Sequence, residues 1–221
     1  MGTSPVAGDA DLAPPASTSP APPDEPRTRP LTDVLFVRLT WKGQVDGRTH
    51  PSFTVHSVEP EPGWPAGRKG LLLASLWKQQ AKPSSEGMMI CDGDVVIDSA
   101  DVEAMVWAVA GERDAVHVAP VKLWPCATGL PGWVWGHRKI LPEGLTLQQA
   151  MDAWRTDIDD PDMFPFGFIW IPARLMNAAI KTGLAKKIFP HVDEHMWQTA
   201  HEIGVPIRVV RGDCHPRHTN Y

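Results

Sequence analysis

The sequence predicts an α/β fold with a mostly parallel central sheet flanked by helices, and three observations lead there. Strand-like and helix-like segments alternate from residue 33 to residue 121, the pattern of crossover units that build a parallel sheet. Similar segments resume between Phe166 and Val210. With 43% hydrophobic residues in a chain of 221, one sizeable core can be buried.

Residues 1–30 stand outside this pattern. They are rich in Pro, Ala, Ser, Thr and Asp, with only Val6 and Leu12 as larger aliphatics. Such a segment cannot bury enough apolar area to offset its ordering entropy. A disordered tail is therefore expected, followed by a single domain at 31–221.

The run Thr32 to Leu39 is rich in β-formers and predicts the first strand, closed by Trp41-Lys42-Gly43; Ser52 to Val58 predicts the second. The turn residues from Glu61 to Pro65 give way to a helix over Gly67 to Gln80, where Leu72, Leu73, Leu76 and Trp77 recur at helical spacing. Pro83 and Ser84 end it. Met88 to Val96 reads as a buried strand interrupted by acids, and Ser99 is placed to cap a helix from Asp101 to Ala110. Val116 to Val121 predicts another strand. The stretch from Trp124 to Pro165 is rich in Gly, Pro and Trp, with one short helix expected from Leu147 to Trp154; irregular segments of this length inside a domain usually carry function. A strand is then predicted at Phe166 to Ile171, helices at Ala173 to Thr182 and Glu194 to Ile203, each closed by a glycine, and a last strand at Pro206 to Val210.

A formal net charge of −5 and a pI near 6.0 give no global basic field for nucleic acid. Cys91, Cys126 and Cys214 form no CxxC pair, which argues against a disulfide framework or a structural zinc and fits a reducing cytoplasm. No apolar stretch reaches the roughly 20 residues that span a bilayer.

The triplet Asp92-Gly93-Asp94 closes the apolar run Met88-Met89-Ile90-Cys91. Two acids one residue apart on an extended chain project their carboxylates to one side, where they repel unless a cation or donor neutralises them. Mg²⁺ or Mn²⁺ suits such oxygen ligands, and a diphosphate can complete the coordination shell. Gly93 would let a substrate approach the backbone. A polar strand-end turn is the competing explanation. Arg68 and Lys69 precede a helix and are candidates for a phosphate or nucleobase contact, against a solvated helix start. Asp193 and Glu194 open the later helix as candidate acid–base groups or simple caps. His215 or His218, after the last strand, could reach a metal near Asp94. Trp133 and Trp135, in a Gly-rich loop, are candidates for stacking on a sugar or base, against the core role of most tryptophans.

The order of these motifs resembles the GT-A glycosyltransferases, family 2-like members in particular, over residues 33 to 218. It is carried by the strand ending in Asp92-Gly93-Asp94, by Phe166-Gly167-Phe168-Ile169-Trp170-Ile171-Pro172-Ala173-Arg174, by Asp193 eleven residues before Gly204, and by Val209-Val210-Arg211-Gly212-Asp213-Cys214-His215. The family carries a Glu-Asp pair where this chain has Val192-Asp193-Glu194. The resemblance implies a GT-A-like (Rossmann-like) domain and sugar transfer from a nucleotide-sugar donor to an acceptor hydroxyl. It further implies Mn²⁺ or Mg²⁺ on Asp92, Asp94 and His215, donor contacts from Arg68, Lys69, Asp92 and Asp94, and a base at Asp193 or Glu194. Phe168 and Trp170 would join Trp133 and Trp135 on the acceptor side. The acceptor could be a protein, a small molecule or modified DNA. Two other expectations stand beside this one: a zinc-dependent hydrolase built on His191, Asp193, His195, Asp213 and His215, and a non-catalytic binding or assembly protein on the same fold.

Overall fold

Central strands that are apolar on both faces set the architecture. The computed structural model describes residues 31–40, 50–59, 62, 67–119, 167–188, 191–210, 214 and 216–218. Expectations for the tail, for the 147–154 helix, and for Trp133, Trp135, Asp213 and His215 lie outside these residues.

The elements in chain order are β1 (Val34–Thr40), β2 (Thr54–Ser57), α1 (Lys69–Gln80), β3 (Gly87–Asp92), β4 (Val95–Val96), α2 (Ser99–Gly111), β5 (Val116–Val118), β6 (Phe168–Pro172), α3 (Ala173–Lys181), a 3₁₀ turn (Leu184–Lys186), α4 (His191–Glu202), β7 (Ile207–Val209) and β8 (Arg217–His218). Six strands form one sheet in the order β2-β1-β3-β6-β5-β7. β6 alone runs against the other five.

In β3, Met88 and Ile90 point to one face and Met89 and Cys91 to the other, and all four are fully buried. The first face packs against α1, α3 and α4 through Leu73, Leu76, Trp77, Leu175, Met176, Met196 and Ala200. The second packs against α2 through Val102, Met105 and Val109 and includes Phe53 and Phe168. The result is a three-layer α/β/α arrangement, the predicted class.

Local chemistry fixes several boundaries. α2 is capped by Asp98 and not by Ser99: Asp98 Oδ1 accepts from the Asp101 backbone N–H at 3.0 Å, and Asp101 Oδ2 accepts from the Asp98 N–H at 3.0 Å. This reciprocal box satisfies two donors at once, which a lone Ser99 hydroxyl would not. Gly183 and Gly204, at φ +102° and +65°, follow α3 and α4 as predicted. The predicted strand Met88 to Val96 is broken by the Gly93-Asp94 turn into β3 and β4. β4 leaves the main sheet to pair with β8, a strand too short for periodicity to reveal.

Candidate active site at the end of β3

β1 has β2 on one side and β3 on the other. The chain therefore changes direction across the sheet at the β1/β3 junction, and open α/β sheets hold ligands at the carboxyl ends of the strands at such a point. β1 ends at Thr40 and β3 at Asp92, with Leu39 in register with Asp92.

Asp92 lies on the face covered by α1, and Lys69 begins that helix. Its Nζ stands 2.9 Å from Asp92 Oδ1 and 3.1 Å from Oδ2, with Lys69 0% exposed. Asp94 and Asp193 are also buried, and both act electrostatically on Asp92 and Lys69. Burial pushes the Asp92 carboxyl up to about 7; Lys69 opposes this, while Asp94 and Asp193 add to it. Burial alone would lower the Lys69 ammonium, but the three carboxylates together hold it above the usual lysine range. Both directions follow from one excess of negative charge, three carboxylates around one ammonium.

The turn carrying Asp94 is clamped from below. Arg38, 1% exposed, donates from Nη2 to Gly93 O at 3.0 Å and to Val95 O at 3.1 Å. A Cβ on Gly93 would lie 2.6 Å from Leu39 O and 3.0 Å from Thr40 Cα. The glycine is thus required by the approach of the turn to β1, whatever a substrate also asks of it. Burial pushes the Cys91 thiol far up, against Arg38 and with help from Asp92, Asp94 and Asp101, so it is no nucleophile at neutral pH.

β8 brings the carboxy-terminal residues back to this place, with His218 in register with Val95, the residue after Asp94.

The remaining candidates divide. Arg68 is exposed at the α1 entrance, its backbone N–H donating to Glu59 O at 2.9 Å. Lys69 does not face solvent, so the expected donor contact is replaced by its pairing with Asp92. Asp193 joins the cluster. The Glu194 side chain is 53% exposed, accepts from Gln198 Nε2 at 3.3 Å and stands 3.8 Å from His191 Nδ1. Phe168 and Trp170 are not acceptor-side residues: both are 0% exposed, and Trp170 Nε1 donates to Arg113 O at 3.2 Å. Their position on a strand covered on both faces makes them core.

Of the set expected for a zinc hydrolase, Asp213 and His215 lie outside the described residues. His191 is exposed, whereas His195 is buried with Nε2 3.1 Å from Thr182 Oγ1 and 3.3 Å from Ala179 O. Among the described residues, no three His, Cys, Asp or Glu side chains form a group that could hold a metal ion. Arg38 was not among the sequence candidates. Its signal was a lone charge inside Val34-Leu35-Phe36-Val37-Arg38-Leu39, an apolar run whose burial demands a partner for the guanidinium.

No protein-family model matches the chain, and no curated protein matches it. Among solved structures, A197 from STIV is similar at a TM-score of 0.39 and 14% identity, over 85% of this chain and 82% of that one. The functional reading rests on the chain's own residues.

Proposed function

We propose that this chain is a glycosyltransferase that moves a sugar from a nucleotide-diphosphate sugar to an acceptor hydroxyl. The observation that carries the reading is the buried group of Asp92, Asp94 and Asp193 around Lys69, at the β1/β3 switch point. Donor nucleotide lies along the carboxyl ends of β1 and β3, with the exposed Arg68 at its phosphates.

The described residues supply no three-ligand group of their own, so Mn²⁺ or Mg²⁺ would take one or two carboxylates here and complete its shell with substrate phosphates and water. Asp94 is the first candidate ligand, with a carboxy-terminal histidine, His215 or His218, as a second. When bound, the ion supplies Lewis-acid stabilisation of charge on the leaving diphosphate.

Of the two candidate bases, Asp193 belongs to the buried group and Glu194 points to solvent. Asp193 therefore takes the proton of the acceptor hydroxyl, a role that requires hydrogen-bond reach of the acceptor. The acceptor is a protein, a small molecule or modified DNA. No helix among the described residues is long and apolar enough to cross a membrane, and we place the activity in the cytoplasm.

The test is a panel of nucleotide sugars with MnCl₂ and candidate acceptors, scored for glycosylated product. Asp94→Ala should abolish transfer. Asp193→Asn should lower kcat by about 100-fold or more with donor binding retained, while Glu194→Gln stays within about threefold. Full activity in Asp94→Ala, or equal losses at Asp193 and Glu194, would overturn the assignment. Donor hydrolysed to free sugar at the same rate with and without acceptor would favour a hydrolase instead.

A further inference from the structure

We infer that the outer face of α1, α3 and the 3₁₀ turn docks on an anionic membrane surface. The lysines that carry this inference lie outside the candidate site, and it does not depend on the transferase reading. Residues 68–82 and 173–188 contain no Asp or Glu, in a chain whose net charge is −5. The exposed acids of that helical layer, Glu194 and Glu202, belong to α4. On the opposite side of the sheet, α2 and its flanks expose Asp98, Glu103, Glu112 and Asp114. The two sides differ in sign, and such a field turns α1 and α3 towards a negative surface.

Four lysines make up the face. Lys78, Lys181 and Lys186 are exposed and Lys187 is half-buried. None of the four forms an ion pair among the described residues, whereas Lys82 is held by Asp33 at 3.3 Å. The fold gathers them. Trp77 Nε1 donates to Asn177 Oδ1 at 2.8 Å, which ties the end of α1 to the middle of α3. Lys78 follows Trp77, and Lys181 stands one turn beyond Asn177 on the same stripe of α3. Lys186 and Lys187 end the 3₁₀ turn, which packs on the start of α1: a Cβ on Gly70 would lie 2.8 Å from Lys187 O. Lys78 and Lys181 also suit the dipoles of the helices they close. That accounts neither for the adjacent pair at 186–187 nor for the lack of acids.

The chemistry of the face favours lipid over nucleic acid. Lysine heads are hydrated point charges on flexible stems, which suit a diffuse layer of headgroups, while single strands are gripped by aromatic platforms and arginine. Trp77, the aromatic of these segments, is 6% exposed and offers a base nothing to stack on. Leu71 is 36% exposed and lies seven residues before Lys78, on the same stripe of α1, where it adds an apolar contact to the charged one.

The experiment is co-sedimentation of the full chain with sucrose-loaded vesicles of phosphatidylcholine and phosphatidylglycerol, against vesicles of phosphatidylcholine alone. The protein should bind the mixed vesicles only, and should be released in about 1 M NaCl, where the screening length falls to about 3 Å. Lys181→Gln/Lys186→Gln should lower the partition coefficient by about tenfold or more. Ser99→Glu/Ala100→Glu makes the same change in net charge at the start of α2 and should stay within about threefold of wild type.

No binding to the mixed vesicles, equal binding to phosphatidylcholine alone, or equal losses in the two double variants overturns the inference. A labelled oligonucleotide bound through Lys181 and Lys186, with no vesicle binding, overturns it in favour of nucleic acid. Lysine-dependent vesicle binding by a protein that transfers no sugar leaves it standing and counts against the transferase reading alone.

Discussion

Replacing Gly93 with alanine adds one methyl group at the tightest point beneath the acidic turn. The new Cβ would stand 2.6 Å from Leu39 O, 3.0 Å from Thr40 Cα and 3.1 Å from Thr40 Cγ2. A carbon beside a carbonyl oxygen settles at about 3.3 Å, so the turn and β1 must separate by roughly 0.7 Å. Neither side yields easily. Thr40 O accepts from the Val58 N–H at 2.7 Å, Leu39 lies between Asp92 and His56 in the sheet, and Gly93 O is held by Arg38 at 3.0 Å. Overpacking of this kind costs about 1–3 kcal/mol. Urea unfolding followed by circular dichroism should show a lower midpoint with an unchanged slope. Gly111→Ala is the matched control, since a Cβ there meets nothing within 4 Å and the residue ends α2; it should be neutral or stabilising by about 0.5 kcal/mol. If the two alanine variants shift the midpoint alike, the close approach of the turn to β1 is refuted. Because Asp94 rides on the same turn, the displacement should also reduce sugar transfer by up to about 100-fold in the protein that remains folded.

Arg38→Met should destabilise by about 1–3 kcal/mol for each buried carbonyl left without its donor, Gly93 O and Val95 O; a fall in melting temperature no larger than that of a conservative surface substitution would refute the clamp. Glu86 tests the pH dependence. Burial alone would raise its carboxyl, but Thr32 Oγ1 at 3.0 Å, the Thr32 N–H at 3.2 Å and the Arg113 ion pair together hold it below its ordinary 4.5. A depressed carboxylate stabilises above its unfolded pKa, and that contribution is lost as pH falls through the folded value. The stability difference between wild type and Glu86→Gln should therefore be constant above about pH 5 and close as pH falls below the ordinary 4.5, measured by urea unfolding. A difference independent of pH would assign the effect to packing.

The sequence made the layered class legible because its signals were local. The continuous apolar run Met88-Met89-Ile90-Cys91, helical spacing of Leu72, Leu73, Leu76 and Trp77, and the stop glycines Gly183 and Gly204 each act within a few residues, and each holds. Direction was less legible: the reversal of β6 depends on where the chain re-enters the sheet, which no pattern inside Phe168–Pro172 records. The site divides along the same line. Asp92 and Asp94 were visible as a pair of acids at a strand end, whereas the pairing of Lys69 with Asp92 joins residues 23 apart in sequence. Phe168 and Trp170 misled because an aromatic beside a glycine looks the same in a binding loop and in a strand buried on both faces.

Lys69 itself breaks a local rule. A cation in the first turn of a helix is opposed by the positive end of the helix dipole. α1 has no acid in its first turn and no side-chain cap to offset this. Burial makes matters worse, since an ammonium removed from water loses its hydration. A local and a tertiary penalty at one residue require a compensation from outside the helix, and Asp92, Asp94 and Asp193 provide it. Natural sequences keep such conflicts mainly where function demands them. A buried lysine serving stability alone would be replaceable by an apolar residue once Asp92 is neutralised with it, because a buried ion pair exchanged for well-packed apolar groups is often neutral. The Lys69→Met/Asp92→Asn variant approaches that exchange: wild-type stability in urea unfolding with sugar transfer lost marks a lysine retained for the site, and wild-type stability with transfer intact marks a structural one.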